Sequence, residues 1–247
     1  MHTRSLLGLF AGLTAAAIWG GMYVVSKVVL DVIPPFALLT TRYVLGIISL
    51  GIAIHFRNRR ADAKIILTKK QFWDSFWVGV LGYGISLGFQ FVGTKLSTAS
   101  NGSLVTSAAP AFVMLFAPFL LGEQTKTRYI IALVISTLGV LAVIDPRIAQ
   151  LSPALFWGNM SLLATALTWA LYSVLVRKVI RNTDLLLSSA VMLLGGLPTS
   201  ILLGAWEIQR QGIGVITPGI IGGILFLGII STAIAMLMWN YAFAKLP

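Results

Sequence analysis

The sequence contains no cysteine and only two histidines, and its 7 acidic residues face 18 basic ones over 247 positions. Without cysteine, disulfide bonds and thiolate chemistry are excluded. His2 lies in the N-terminal tail and His55 at the end of an apolar segment, and no acidic residue falls in the middle of such a segment. An enzyme or metal centre built into the apolar segments would need such groups. We therefore expect no enzyme, no metal and no cofactor.

Long apolar runs dominate what is present. Hydrophobic residues make up 57% of the chain and charged residues 10%, far from the composition of a soluble domain. A helix needs about 20 apolar residues to cross about 30 Å of hydrocarbon. The pattern predicts an all-α polytopic membrane protein with eight spans, since strands of about 10 alternating residues would not give unbroken runs. The predicted spans cover residues 5–30, 36–56, 72–93, 102–121, 129–144, 154–176, 186–206 and 217–242.

Basic residues are distributed unevenly between the two sides of these spans. With the N-terminus in the cytoplasm, 13 of the 18 basic residues lie in inside segments, whereas the outside loops hold only Lys95, Arg147 and Arg210. This is the positive-inside pattern, so we predict a multi-pass protein of the cell (plasma or inner) membrane with a cytoplasmic N-terminus. The basic stretch 57–70 is then expected to lie near anionic lipid headgroups of the bilayer, and no nucleic-acid partner is expected.

The chain also aligns with itself when it is shifted by 150 positions. Trp19 then falls on Trp169, Gln90 on Asn240 and Lys95 on Lys245, in one register without gaps. The predicted units are residues 1–145, with five spans, and 153–247, with three. Because five is odd, the second unit must enter the membrane from the opposite side, which is the inverted repeat of many transporters. A second unit of equal length would extend about 47 residues further, so eight helices of an expected ten are present.

Four segments resemble a known family. The features that carry the resemblance are a tryptophan near the start of the first segment, a Pro-Pro turn, an Arg-aromatic pair and a Gly-Glu pair at the end of the fourth span. On these residues the chain is identified as similar to the EamA group of ten-helix carriers in the drug/metabolite transporter superfamily. The resemblance implies a carrier of small molecules, but the ninth and tenth helices of that pattern are absent. The segments cover residues 15–46, 95–124, 164–178 and 231–247.

Aromatic and hydrogen-bonding side chains within the spans form the predicted substrate site. Rings with a few polar tips suit a mostly apolar pocket for a small amphipathic solute. Pro110 removes a backbone hydrogen bond in a hydroxyl-rich part of the fourth span, which is typical of a cavity wall or, alternatively, of a simple structural kink. For Tyr23, Gln90, Asn240 and the neighbouring Trp239, interfacial or helix–helix contacts are the alternative. The predicted site residues are Trp19, Tyr23, Tyr83, Ser86, Gln90, Asn101, Thr106, Trp169, Tyr172 and Asn240.

One charge lies inside a predicted span. Arg42 is six residues past Phe36, about 9 Å into the membrane. A charge at such a depth costs up to about 3 kcal/mol unless it is paired or reaches the surface. Asp31 is the nearest acid in sequence, and a structural Asp31–Arg42 ion pair is the favoured interpretation. Contact of Arg42 with a substrate carboxylate is the alternative.

These observations predict a transporter that exports a small organic metabolite, such as an amino acid, by alternating access. A lipophilic drug exporter is the alternative within the transporter class. Drugs of this kind are often cationic, and the absence of a mid-membrane carboxylate counts against it. A membrane scaffold or receptor that transports nothing is the alternative outside that class.

Overall fold

The structure is a computed structural model that describes residues 2–60, 66–122, 152–181 and 183–245, with isolated positions between 127 and 139. The described residues form helices and turns and contain no strand. Among them, seven helices are long and apolar enough to cross a membrane. The all-α polytopic prediction is therefore confirmed. The predicted fifth span, residues 129–144, falls largely outside the described residues.

The seven helices are numbered here in chain order. Helices α1 to α4 correspond to the first four predicted spans, and α5, α6 and α7 to the sixth, seventh and eighth. They are α1 His2–Leu30, α2 Pro35–Arg60, α3 Lys69–Leu96, α4 Ala99–Leu121, α5 Pro153–Ile180, α6 Leu185–Gln211 and α7, whose consecutive segments are Pro218–Leu225, Phe226–Ile234 and Ala235–Lys245.

Side-chain caps explain where several helices begin. The Thr98 hydroxyl accepts a hydrogen bond from the backbone N–H of Asn101, so α4 begins before the apolar run that predicted a start at residue 102. Asp184 caps α6 through Leu187 in the same way. The spans were predicted from apolar runs, which do not include polar first turns of this kind. The observed helices are therefore longer than the predicted spans.

The fourth helix is divided just before Pro110. Its segments are Ala99–Thr106 and Ala109–Leu121, separated by a turn, and Pro110 lies in the first turn of the second segment. Proline is tolerated there because its missing N–H has no partner within the helix.

Two helices contain π-helical segments that the sequence did not predict. They are Val80–Ser86 in α3 and Phe226–Ile234 in α7. Subtracting 150 places the second segment on residues 76–84, which overlap the first. Segments with i→i+5 bonding are uncommon and occur frequently at functional sites. The two segments thus overlap in the register of the predicted repeat.

The first helices of the two predicted repeats run in opposite directions. The Lys27 ammonium, near the end of α1, contacts the carbonyl of Thr94, near the end of α3. Gly158, near the start of α5, packs against Leu96 and Ser97 at this same end of the bundle. Hence α5 begins where α1 ends. We call this the Lys27 end, and the opposite end, where α2 ends, the Arg57 end.

We group the described helices into two bundles, which share an extensive contact between α2 and α6. Helix α7 packs along α1 and α2, and these three are called the α1–α2–α7 bundle. Helix α5 packs along α3 and α4, and α6 packs along α3. The four helices α3, α4, α5 and α6 are called the α3–α6 bundle. Helices α2 and α6 pack antiparallel across the boundary between the bundles. The main buried core includes apolar residues from both bundles.

Glycines permit close packing within the α3–α6 bundle. A Cβ on Gly82 of α3 would lie 2.3 Å from the Tyr172 ring of α5, and one on Gly79 would lie 2.1 Å from the Met192 carbonyl of α6. Any larger residue at these positions would push the helices apart. Small residues of this kind let helix backbones approach closely in lipid.

Candidate functional site

Three tryptophans from different helices meet at the boundary between the bundles. The Trp19 and Trp169 rings contact edge to face with centroids 5.8 Å apart, and Trp239 lies 5.1 Å from Trp19. All three are half-buried. The structure thus brings Trp19 and Trp169 together, and adds Trp239, which lies outside the predicted set.

Tyrosines continue this aromatic group into the α3–α6 bundle. Tyr172 packs on Trp169 at 4.6 Å, and its hydroxyl lies 3.2 Å from that of Tyr83. Tyr43 of α2 packs on Tyr83 at 5.9 Å and donates a hydrogen bond to its carbonyl. These tyrosines are buried. The predicted residues Tyr83 and Tyr172 therefore adjoin the tryptophans, and Tyr43 is an addition.

A second polar group contains Tyr23, Thr106 and Gln90. The Tyr23 and Thr106 hydroxyl oxygens are 2.5 Å apart. Because Thr106 also donates to the Gly102 carbonyl at 2.6 Å, Tyr23 is the donor in this pair. Gln90 is a further polar neighbour of the Tyr23 hydroxyl. This group joins α1, α3 and α4, and therefore connects the two bundles.

Three predicted site residues take part in helix–helix contacts instead. The Ser86 hydroxyl donates to the Thr165 carbonyl at 3.3 Å, and the Asn240 amide donates to the Ser189 hydroxyl at 2.9 Å. Asn101 donates to the Asn159 side chain at 3.1 Å, at the Lys27 end of the bundle. Asn101 is therefore separate from the tryptophans, because it lies in the first turn of α4.

The predicted ion pair between Asp31 and Arg42 is not formed. Asp31 is exposed after the end of α1, whereas Arg42 is wholly buried and directed at α7. Its guanidinium donates to the Thr232 hydroxyl at 2.9 and 3.1 Å and lies 4.6 Å above the Phe91 ring. Sequence proximity suggested the wrong partner, because Arg42 points away from the turn between α1 and α2.

The acids that the sequence left unassigned stabilise the two ends of the α2–α6 pair. At the Lys27 end, the Glu207 carboxylate accepts from the backbone N–H groups of Phe36 at 2.7 Å and Ala37 at 3.4 Å. A carboxylate at a helix N-terminus is favourable because of the helix dipole. At the Arg57 end, Arg57 pairs with Asp184 at 2.8 Å. Glu207 and Arg57 are 150 positions apart and therefore occupy the same position in the two predicted repeats. At this position one repeat carries a positive side chain and the other a negative one.

Lysine 27 forms a further contact between the bundles. Its ammonium donates to the carbonyls of Thr94, Lys95 and Ser97 at 3.2, 2.7 and 2.7 Å. The last carbonyls of a helix lack intrahelical partners, and a cation there is favourable. The Lys27 end of the boundary is thus closed by hydrogen bonds.

A cavity of about 560 Å³ lies at the Arg57 end, between α1, α2, α6 and α7. Its walls are mostly apolar, and they include Leu186, Met238 and Tyr241 besides the Arg57–Asp184 pair. None of the predicted site residues lines it. The tryptophan group and this cavity are therefore separate features of the described structure.

Half-buried tryptophans provide apolar surface, neighbouring hydroxyl and amide groups provide hydrogen bonds, and Arg42 provides one positive charge. The described residues contain no group of histidines and acids that could hold a metal. Apolar spans and an aromatic centre between two bundles are the features of a polytopic transporter.

The chain belongs to the EamA-like transporter family, whose model matches residues 6–144 and 156–247. An uncharacterized transporter of Archaeoglobus fulgidus is 25% identical, over 92% of this chain and 77% of that protein. A probable amino-acid metabolite efflux pump of Salmonella typhimurium is 26% identical, over 94% and 76%. These names describe transporters, which in general are not enzymes.

Two further proteins are similar to this chain. The aromatic amino acid exporter YddG of Ancylobacter novellus is 24% identical, over 69% of this chain and 58% of that protein. A solved crystal structure superimposes with a TM-score of 0.68, over 99% of this chain and 80% of the other, at 21% identity. The structural match supports the fold alone.

Proposed function

We propose that this chain transports a small organic metabolite, with an amino acid as the first candidate, outward across the cell membrane. The main support is the meeting of Trp19 and Trp169 where the bundles join, surrounded by hydroxyl and amide groups. Relatives named for amino-acid efflux and aromatic amino acid export support the same solute class. An aromatic surface would bind the apolar part of such a solute, and a few polar groups would bind its polar part.

Alternating access between inverted repeats is the proposed mechanism. This mechanism is supported by a difference in packing between positions that correspond in the two predicted repeats. At the Lys27 end, Phe36 packs so closely that a Cβ on Gly88 would lie 2.9 Å from its ring. Their counterparts 150 positions later, Leu186 and Met238, both line the cavity at the Arg57 end. Within the described residues the boundary is packed more tightly at Phe36 than at Leu186, and this difference supports a carrier that alternates between two states.

The proposed orientation places the Arg57 end in the cytoplasm. The basic residues of the 57–70 segment support it through the positive-inside rule. A reporter fused after Lys64 should then be cytoplasmic, and one fused at Gln211 external. The reverse result would contradict both the orientation and the export direction.

Efflux from proteoliposomes tests the proposed function. Vesicles containing the purified chain would be loaded with a panel of amino acids and, separately, with a lipophilic cation. We expect faster efflux of one or more amino acids than from protein-free vesicles. Efflux of the cation alone would indicate a drug exporter, and binding without efflux of any solute would indicate a receptor or scaffold.

A further inference from the structure

The buried guanidinium of Arg42 is surrounded by neutral groups. Its Nε donates to the Leu227 carbonyl at 3.3 Å and to the Thr232 hydroxyl at 3.1 Å. Its Nη2 donates to Thr232 at 2.9 Å and Ser231 at 3.4 Å, and contacts the Met22 sulfur at 3.7 Å. All of these partners are dipoles or a thioether, so they orient the cation without neutralising it.

The remaining nitrogen, Nη1, is buried and has no hydrogen-bond partner within the described part of the chain. Three of the described acids are engaged elsewhere, Asp74 with Lys70, Asp184 with Arg57 and Glu207 with the start of α2. Burial of a charge with an unused donor is unfavourable unless an acceptor or a countercharge accompanies it. Nη1 can therefore donate to an acceptor that the described residues do not supply.

The π-helical segment of α7 fixes the direction of this donor. Thr232 donates to the carbonyl of Leu227, five residues earlier, at 2.7 Å, and the same carbonyl also accepts from Arg42. The widened turn thereby presents both a carbonyl and a hydroxyl to one edge of the guanidinium. Since the guanidinium is planar, holding that edge orients the Nη1 edge as well.

Helix packing does not require an arginine at this position. Its repeat counterpart, 150 positions later, is Met192, which is also wholly buried. Met192 receives a weak contact from the Tyr172 hydroxyl at 3.9 Å. The fold therefore accommodates an apolar side chain at the equivalent place, and the charge of Arg42 calls for a reason other than packing.

The guanidinium also adjoins the aromatic site. Arg42 contacts Phe91 and Met22. These two residues are the sequence neighbours of the predicted site residues Gln90 and Tyr23. The Trp19 ring nitrogen donates at 3.1 Å to the carbonyl of Ser231, whose hydroxyl accepts from Arg42. A solute held against Trp19 would thus have Arg42 among its nearest charges. The soft thioether of Met22 is the group most readily displaced by such a solute.

We propose that the Nη1 edge of Arg42 binds the carboxylate of the transported solute, which makes the substrate class an organic acid or amino acid. This inference rests on the proposed function, because it assigns the solute of the same site. The carboxylate supplies the missing countercharge, and Arg–carboxylate hydrogen bonds are among the stronger ones in proteins. An amide of equal shape lacks the charge and should bind much more weakly.

Ligand-induced thermal stabilisation tests the assignment without measuring transport. Purified chain in detergent would be titrated with benzoate and with benzamide, which differ mainly in charge, and with acetate and L-phenylalanine. We expect benzoate to raise the unfolding temperature at concentrations at least tenfold below benzamide. Arg42→Met, which introduces the counterpart's residue, should abolish this preference, whereas Arg42→Lys should retain part of it.

Arg210→Met is the matched control, because Arg210 also stacks on an aromatic ring, that of Trp206 at 4.8 Å, but at the end of α6. It should keep the preference for benzoate. Absence of stabilisation by all three carboxylates in the unsubstituted chain, or an unchanged preference in a folded Arg42→Met, would overturn the proposal. A carboxylate preference without amino-acid efflux would contradict the proposed function alone. Efflux of amino acids that is unaffected by Arg42→Met would contradict this inference alone.

Discussion

Trp19 and Trp169 contact each other edge to face, 5.8 Å apart, although they occupy the same position in the two predicted repeats. When two equivalent residues touch, the contact lies on the axis that relates their units. In the register of the predicted repeat, the axis that relates the α1–α2–α7 bundle to the α3–α6 bundle therefore passes through this pair. A solute bound at this point would contact both bundles at once, as the proposed mechanism requires.

The first prediction concerns these two rings. Trp19→Ala and Trp169→Ala should each lower solute efflux by at least about tenfold, which corresponds to about 1.4 kcal/mol of lost interaction. Each substitution removes one ring of an aromatic pair worth about 0.5–1.5 kcal/mol, together with surface for the solute. Efflux from proteoliposomes with equal amounts of inserted protein is the measurement.

Trp157→Ala provides the control, because Trp157 is 64% exposed and lies outside the tryptophan group. Its efflux should match that of the unsubstituted chain. Normal efflux by both central variants would show that these rings serve packing and not solute binding.

The fold was largely predictable because its main determinant is periodic and local. Apolar runs indicate membrane spans whatever their neighbours are, and the register of Trp19 with Trp169 indicates a repeat. Partners across the bundle have no such signal. Arg42 was matched with Asp31, 11 positions away, but its partners are Leu227, Ser231 and Thr232, almost 200 positions later. The π-helical turn that aims these groups at Arg42 is not encoded in a recognised pattern of residues.

The proximity of several predicted site residues to the tryptophans was predictable for a similar reason. Residues such as Tyr83 and Tyr172 were chosen as aromatic residues deep in spans, and depth alone brings them near the centre. Asn101 was chosen for its polarity beside Pro110, yet the turn between the segments of α4 leaves it at the Lys27 end. Glu207 was overlooked because its function is to cap α2, which begins more than 170 positions earlier in the chain.

A second prediction concerns Lys27. Replacement by methionine removes three charge-assisted hydrogen bonds to the end of α3 and should lower the free energy of unfolding by about 1–3 kcal/mol. It should also increase labelling of a cysteine placed at Ser97, because that end of the boundary is less firmly closed. Unfolding in detergent and thiol labelling of vesicles measure the two effects.

Lys178→Met is the control, since Lys178 is an exposed lysine at the end of α5. Surface substitutions of this kind usually change stability by no more than about 0.5 kcal/mol. Equal stability and equal labelling of the Lys27 and Lys178 variants would contradict a closing function for Lys27.

The third prediction concerns the contact between α3 and α5. Gly82→Ala places a methyl group 2.3 Å from the Tyr172 ring and should destabilise the fold by about 1–3 kcal/mol through overpacking. Gly20→Ala has open space around the new methyl group and should be neutral, or stabilising by up to about 1 kcal/mol. Thermal unfolding of the two variants would compare them, and a stable Gly82→Ala would show that α3 and α5 are not packed as described.

The last prediction concerns the two ends of the boundary, and the absence of native cysteine makes it accessible to cross-linking. One double variant carries Phe36→Cys and Gly88→Cys, and the other carries Leu186→Cys and Met238→Cys. A short bifunctional thiol reagent should link the first pair faster, because Phe36 packs on Gly88 whereas Leu186 and Met238 line a cavity of about 560 Å³. If the bundles alternate, a transported amino acid should slow linking of the first pair and accelerate linking of the second.

A double variant within one bundle separates alternation from general loosening. Gly12→Cys with Ala242→Cys joins α1 to α7, where a Cβ on Gly12 would lie 3.5 Å from that of Ala242. Its linking rate should not respond to solute, because both helices belong to the same bundle. The two boundary pairs should change in opposite directions because closing one end of a rocking interface opens the other. A change in the same direction at both ends would exclude alternating access and would instead indicate a solute that only tightens or loosens the whole protein.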